Sequence, residues 1–312
     1  MDLRRIEGLI DAHREQLRAR YGWTHLEVTI RLEGERLRIT GTVAVARVGA
    51  QLRRVLEPAV AEGLSLEMDL SPMPISGWYA LPSGGQDVWA QHPSAAARSL
   101  ATELTHADGP VGLLARDRGS SLVCARDGTI GWVDGPLGAS EAPRVLGQPR
   151  VPDDPGAALC AAALRYVGVP YWLGGNRLDR IDCSGLVQRA FVGALGVLVP
   201  RNSNDQLAVG GGGEPRERVV GRAGDLVFLR SRRMARTHVG IATGAGTVIH
   251  ASRSRAAVVV EAGAVLEGDA EWIRWVGWER IVDWGVRQVG RSVVRVEYAH
   301  AGGHLADVNT VL

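Results

Sequence analysis

The sequence predicts an α+β protein built from three units in series, and three observations carry that prediction. Residues 3–70 alternate helix-period and strand-period patterns in the order α-β-β-α-β. Residues 77–138 are short strand-like runs separated by turn residues. Residues 156–284 set a cysteine at the head of a helical pattern, followed by two histidine-bearing strands. A chain of 312 residues is too long for one ordinary domain, and 46% hydrophobic content is enough for proper cores.

In the first unit, Ile6, Leu9, Ile10, His13 and Leu17 recur at helical spacing within Leu3–Tyr21, with His13 expected at the surface or at the core boundary. Two strands, His25–Leu32 and Arg36–Val45, follow with Glu33-Gly34-Glu35 turning between them. Val48–Ala61 returns to helical spacing and Leu64–Leu70 to strand spacing. We expect residues 1–72 to be a small packing or interaction domain without chemistry. Ser71-Pro72-Met73-Pro74 reads as a linker. In the second unit, residues 76–140, only Ser94–Leu104 has helical character. Ser120–Cys124 and Asp127–Val133 form a hairpin through an Asp-Gly turn. Trp78, Tyr79, Trp89 and Trp132 are expected in its core, unless one of them walls a cleft. Residues 139–152 are a second linker.

The third unit, residues 152–286, opens with a helix at Pro155, a residue suited to the first helical position. Asp182 stands where an N-cap is expected, just ahead of the apolar face Leu186, Val187, Ala190, Phe191, Ala194, Leu195. Cys183 therefore enters the first turn of a helix, where the helix dipole should lower its pKa, and Gly185 should let a ligand approach the backbone. Thr237–Ala242 and Val248–Ser252 are strands joined by Gly244-Ala245-Gly246, bringing His238 and His250 into one hairpin. One histidine can serve as base for the thiol and the other can orient that base. The glycine run 210–213 and the arginine-rich stretch 230–236 read as surface loops, and no role is expected for His300 and His304 in the tail, residues 287–312.

Composition excludes several classes. The 36 basic and 34 acidic residues nearly cancel, so nothing argues for nucleic acid. Cys124, Cys160 and Cys183 are too irregularly spaced for a disulfide framework or a zinc site, and no metal or organic cofactor is expected. No stretch reaches the ~20 apolar residues of a membrane span. The stretch Met1-Asp2-Leu3-Arg4-Arg5 has no signal-type apolar core, so a cytoplasmic location is expected, with export by another route as the alternative. The oligomeric state stays open.

Several segments together resemble the NlpC-type, papain-like cell-wall cysteine peptidases. They are Val169-Pro170-Tyr171-Trp172-Leu173-Gly174-Gly175, Asp182-Cys183-Ser184-Gly185, Pro200-Arg201-Asn202-Ser203 through Gln206, Gly224-Asp225-Leu226, His238-Val239-Gly240-Ile241 and Ile249-His250-Ala251-Ser252. Residues 1–72 resemble BON-type modules in outline, and Asp127-Gly128-Thr129-Ile130-Gly131-Trp132-Val133 is similar to the last hairpin of bacterial SH3-like barrels. The resemblance implies a papain-like domain behind a small α+β domain and an SH3-like barrel. It implies Cys183 as nucleophile, His238 as base, His250 as orienting residue and the Tyr171 hydroxyl as an oxyanion donor. Asp182, Ser184, Arg201, Asn202, Ser203 and Trp172 would contact substrate. The implied reaction is cleavage of the γ-D-glutamyl–diamino acid bond (diaminopimelate or lysine) of peptidoglycan stem peptides, in murein peptide recycling or wall turnover. Relatives with barrels often require a free N-terminal L-Ala, whose ammonium pairs with an Asp at the position of Asn202. The Asn here puts that requirement in doubt, with Asp182 or a barrel acid as possible substitutes. A Cys/His amidase or acyltransferase of the same superfamily, or a non-catalytic wall-binding protein, are the alternatives.

Overall fold

The computed structural model describes residues 3–60, 64–105, 108–141, 152–210, 214–215, 221–231, 237–267, 270–281, 298–299 and 305–306. Predictions made on glycines 211–213, on 232–236, on most of the 139–152 linker, on Trp284, and on His300 and His304 lie outside these residues.

The first unit follows its sequence pattern closely. Helix α1 (Leu3–Tyr21) buries Ile6, Ile10, His13, Leu17 and Tyr21 at successive turns. His13 is therefore not at the surface. It is 7% exposed, neither ring nitrogen has a hydrogen-bond partner, and burial lowers its pKa, so it is packed as a neutral ring. Strands β1 (Leu26–Glu33) and β2 (Arg36–Val43) form an antiparallel hairpin, and β3 (Ser65–Pro72) lies parallel to β2. Parallel neighbours need a crossover, which helix α2 (Ala46–Leu56) supplies. Its Val48, Leu52 and Leu56 are buried, while Arg47, Gln51 and Arg54 share the other face at i, i+4, i+7 spacing.

The second unit is a seven-stranded antiparallel sheet of β4 (Trp78–Ala80), β5 (Gln86–Trp89), β6 (Leu100–Leu104), β7 (Val111–Asp117), β8 (Ser120–Cys124), β9 (Ile130–Asp134) and β10 (Gly138–Ser140). Its order is β10-β4-β7-β8-β9-β5-β6, and among the described residues the end strands β10 and β6 do not pair. The expected barrel is thus present as a sheet without ring closure. The helix expected over Ser94–Leu104 is absent; its C-terminal part is β6, held by antiparallel pairing to β5 with Val88 opposite Thr102. Ala95–Ala97 lie in the loop that leads into this strand, outside the ladder. The first linker separates the chain but not the cores. Trp132, 1% exposed, packs with Leu114, Leu122, Cys124 and Ile130 among the core residues of the first unit, and its Nε1–H donates to the Tyr21 carbonyl at 2.8 Å.

The third unit packs α3 (Pro155–Leu164) and α4 (Cys183–Leu195) on a six-stranded sheet. Its strands are β11 (Glu214–Pro215), β12 (Leu226–Ser231), β13 (His238–Ala242), β14 (Thr247–Ser252), β15 (Ala257–Ala262) and β16 (Ala270–Val276), in the order β11-β16-β12-β13-β14-β15. Helix α5 (Ser203–Val209) follows α4, and α6 (Gly263–Glu267) follows β15. The core joins Leu159, Leu186, Phe191, Phe228, Ile241 and Ile249, and Ala50 of α2 enters it as well. Cys124 and Cys160 are free and buried, the packing role expected for them. The second unit clamps onto the third through charge pairs. Fully buried Glu103 meets Arg180 Nε at 2.6 Å and Arg177 Nε at 3.2 Å, and Asp108 holds Arg189 at 2.8 and 2.9 Å. Among the described residues no helix is long and apolar enough to cross a membrane.

Candidate active site

Cys183 is the first residue of α4. Asp182 is its N-cap, accepting from the Gly185 N–H at 2.8 Å. The rest of that carboxylate is taken by the fold. Oδ2 accepts from the Gly174 N–H, and both oxygens accept from Arg201 at 2.8 Å. Arg201 also donates to Thr102 Oγ1 at 2.8 Å, to Ser184 Oγ at 3.0 Å and to the Gly175 carbonyl at 3.0 Å. All five of its N–H groups are thereby used, on a residue 2% exposed. Arg201 is therefore corrected from a substrate contact to a buried lock. Asp182 and Ser184 reach the cleft wall, yet their polar groups are committed to this lock, so they position the Cys183 turn and Asp182 is not a substitute for a free substrate-binding acid. Gly185 serves close packing: a Cβ there would stand 2.7 Å from the Gly175 carbonyl oxygen.

The histidines lie on one face of the sheet. With Ile241 opposite Ile249, Gly240 is level with His250, and a Cβ on Gly240 would fall 3.1 Å from His250 Cβ. The missing side chain leaves room for the diagonal contact His238 Nε2···His250 Nδ1, 2.8 Å, with the rings near perpendicular at 79°. The next diagonal, from β14 to β15, carries His250 Nε2 to Glu261 Oε2 at 3.0 Å, and Arg255 Nε donates to Glu261 Oε1 at 2.7 Å. Glu261 was missed in the sequence. The available signal was a single carboxylate in the otherwise apolar strand Ala257–Ala262.

This chain assigns tautomers. A carboxylate only accepts, so His250 Nε2 carries the proton and its Nδ1 accepts from His238 Nε2–H. The unprotonated nitrogen of His238 is then Nδ1. Burial raises Glu261, but hydrogen bonds from Arg255 and His250 outweigh it and hold its carboxyl below the ordinary glutamate value. Burial, reinforced by His250, pushes His238 down to about 3. Burial, then the Asp182 charge, pushes the Cys183 thiol up to about 12, against the Val239 and Ser184 N–H groups that point at its sulfur and the charge of Arg201. Burial thus opposes the lowered thiol pKa expected from the helix dipole, and it disfavours either charge standing alone on the resting pair.

Cys183 and His238 line one cleft of about 620 Å³, with Tyr171, Leu173, Asn202, Ser203 and Thr237. Trp172, 54% exposed, lines a second lobe with Trp89, Arg98 and Arg180, and Tyr171, Leu173 and Arg253 belong to both lobes. Trp172 thus lies away from Cys183, while Trp89 is the aromatic residue of the second unit that walls the cleft. Arg20, Arg47, Gln51 and Arg54 line the first lobe. The first unit thus supplies part of the cleft wall. Its polar helix face gave no sign in the sequence of which surface it would meet.

A helix-borne thiol and a strand-borne histidine relay that line one cleft are the parts that nucleophilic cysteine catalysis of papain-like type requires. Residues 168–265 match the model of the NlpC/P60 family, so this stretch is a domain of that family. Gamma-DL-glutamyl hydrolase of Bacillus subtilis (strain 168) is 40% identical over 114 residues, covering 35% of this chain and 27% of that protein. Murein DD-endopeptidase MepS/Murein LD-carboxypeptidase of Escherichia coli (strain K12) is 40% identical over 94 residues, covering 30% of this chain and 48% of that protein. The matches therefore span about a quarter and about half of these two relatives. Among solved structures, the NlpC/p60 domain of peptidoglycan hydrolase SagA is 31% identical, with 38% of this chain and 97% of that chain covered and a TM-score of 0.32.

Proposed function

We propose that the protein is a peptidoglycan hydrolase that cuts the γ-D-glutamyl–diamino acid amide of stem peptides, in murein peptide recycling or cell-wall turnover. The observation that carries this reading is the His238–His250–Glu261 relay, with Cys183 and His238 lining one cleft. The family of the 168–265 domain, with relatives named as murein endopeptidases and as a γ-glutamyl hydrolase, supports the substrate.

The mechanism follows from the resting state. His238 Nδ1 takes the Cys183 proton as the sulfur attacks the amide carbon. Forming thiolate and imidazolium together keeps the buried pair neutral overall, whereas either charge alone is opposed by burial. The imidazolium donates through Nε2 to His250, whose opposite nitrogen donates to Glu261, so positive charge on His238 is supported across two hydrogen bonds. His238 then gives its proton to the leaving amine, and water releases the acyl group from sulfur by the reverse proton path. Asp182 takes the Gly185 N–H and the sulfur takes the Ser184 N–H, leaving the Cys183 N–H to face the oxyanion with the Tyr171 hydroxyl. Each such donor is worth about 2.7–4 kcal/mol of barrier.

The test is mass spectrometry after incubation with L-Ala-γ-D-Glu-diaminopimelate and its N-acetylmuramyl form. Release of diaminopimelate that disappears in Cys183→Ala is the expected result. Equal hydrolysis by Cys183→Ala overturns the assignment.

A further inference from the structure

The lobe of the cleft reached by the first unit carries four arginines, Arg20, Arg47, Arg54 and Arg253, against two aspartates. Asp182 is already matched from behind by Arg201, and Asp205 is shared by Arg47 and Arg54, each at 3.1 Å. Arg20 and Arg253 have no carboxylate partner among the described residues, and Arg20 makes only a cation–π contact with Tyr21. Arg47 stands in the first turn of α2, which has no acidic residue there, so its charge is held against the positive end of the helix dipole. Asn202 lies under it. With its amide oxygen turned toward Arg47, it accepts from Nη1 at 3.3 Å and Nη2 at 2.5 Å. The position that would need an acid to hold a substrate ammonium is thus a neutral amide whose acceptor is occupied by a guanidinium.

We infer that this lobe is an anion subsite: beyond the α-carboxylate that every γ-D-Glu substrate carries, the preferred substrate has a second carboxylate, and not a free ammonium, at its N-terminal end. This rests on the peptide-hydrolase reading above. The field of the uncompensated guanidiniums attracts a carboxylate and repels an ammonium, and the partly enclosed lobe screens both less than open solvent does. Gln51, on the same helix face, adds a neutral donor beside them.

The experiment compares three versions of one peptide, L-Ala-γ-D-Glu-diaminopimelate: N-succinyl, N-acetyl and free amine. On the same L-Ala nitrogen they place an acyl group that ends in a carboxylate, a neutral acyl group, or no acyl group, which leaves the ammonium. For the full-length protein, kcat/KM is expected to rank succinyl over acetyl over free amine, with about a fivefold gain from acetyl to succinyl. That gain should shrink as salt is raised. Arg20→Gln and Arg253→Gln break no carboxylate pair and should each lower the succinyl-to-acetyl ratio, and Arg47→Gln should lower it too. Equal or greater kcat/KM for the free amine overturns the anion subsite while leaving the hydrolase reading intact. A succinyl preference unmoved in all three variants also overturns it. No Cys183-dependent cleavage of any of the three peptides overturns both.

Discussion

Replacing Arg201 with Met tests whether the buried lock under the nucleophile is what holds Cys183 in place. Methionine fills much of the volume but strips Asp182 of its bidentate partner and leaves Thr102 Oγ1, Ser184 Oγ and the Gly175 carbonyl each short of one donor. Asp182 is 4% exposed, so its charge cannot turn to water. Removing one member of a buried ion pair costs about 3–5 kcal/mol, a large part of the roughly 5–15 kcal/mol that keeps a domain folded. Lysine at 201 keeps the charge but brings three donors on a point ammonium in place of a planar five-donor fork, so it should recover only part of the loss. The double variant Asp182→Asn with Arg201→Met leaves no uncompensated charge and should lose less than the sum of the single changes. Arg201 also holds the Cys183 thiol down against the Asp182 charge, so Arg201→Met should slow alkylation of Cys183 by iodoacetamide at fixed pH. Denaturant unfolding followed by fluorescence, with alkylation rates read by mass spectrometry, checks both effects. A stability loss under about 1 kcal/mol with an unchanged alkylation rate would refute the lock.

Glu261→Gln keeps shape and hydrogen-bonding reach but no longer dictates which nitrogen of His250 is protonated. A fall in kcat of roughly 10- to 100-fold with little change in KM is expected, smaller than the ~10⁴-fold effect of misassigning a histidine's own carboxylate partner; an unchanged kcat sinks the relay. For pH, His238 sits at about 3 in the folded protein against 6.5 unfolded, so the unfolded chain binds the extra proton and stability falls as pH drops from 6.5 toward 3. Cys183 sits at about 12 against 9.0, so stability falls as pH rises from 9.0 toward 12. Each group contributes a slope of roughly 1.4 kcal/mol per pH unit within its own window; titrating unfolding midpoints in wild type, Cys183→Ala and His238→Gln reads them separately, and identical profiles contradict the burial argument. Gly240→Ala would set its Cβ 2.5 Å from buried Val248 Cγ1 and 3.1 Å from His250 Cβ, so it should lower stability and, by disturbing the His238–His250 contact, kcat as well, while Gly244→Ala, at φ +82°, should affect stability more than rate.

Much of this protein was legible in the chain. Period and capping located α1, β1, β2, β3 and α4, because those signals are local: the side chains that face the core are also the ones at 3.6- or 2-residue spacing. The Cys183 turn and the two histidine strands were legible for the same reason, since a hairpin of known register brings His238 and His250 onto one face. The surroundings of the thiol, the lock and the cationic lobe were decided only by the tertiary structure. The pull on the Cys183 proton depends on the burial of its sulfur and the Asp182 charge, against the Val239 N–H and the Arg201 charge, groups that only the fold brings to the sulfur. Arg201 read as a pocket residue from its motif, yet Thr102, 99 residues away, completes its shell. Helical spacing over Val48–Ala61 gave no role to Arg47 and Arg54, and only docking of α2 beside Asp205, across 151 residues for Arg54, turns them into a wall of the site. Charge at long range acts through distance and desolvation, and neither is encoded in spacing along the chain.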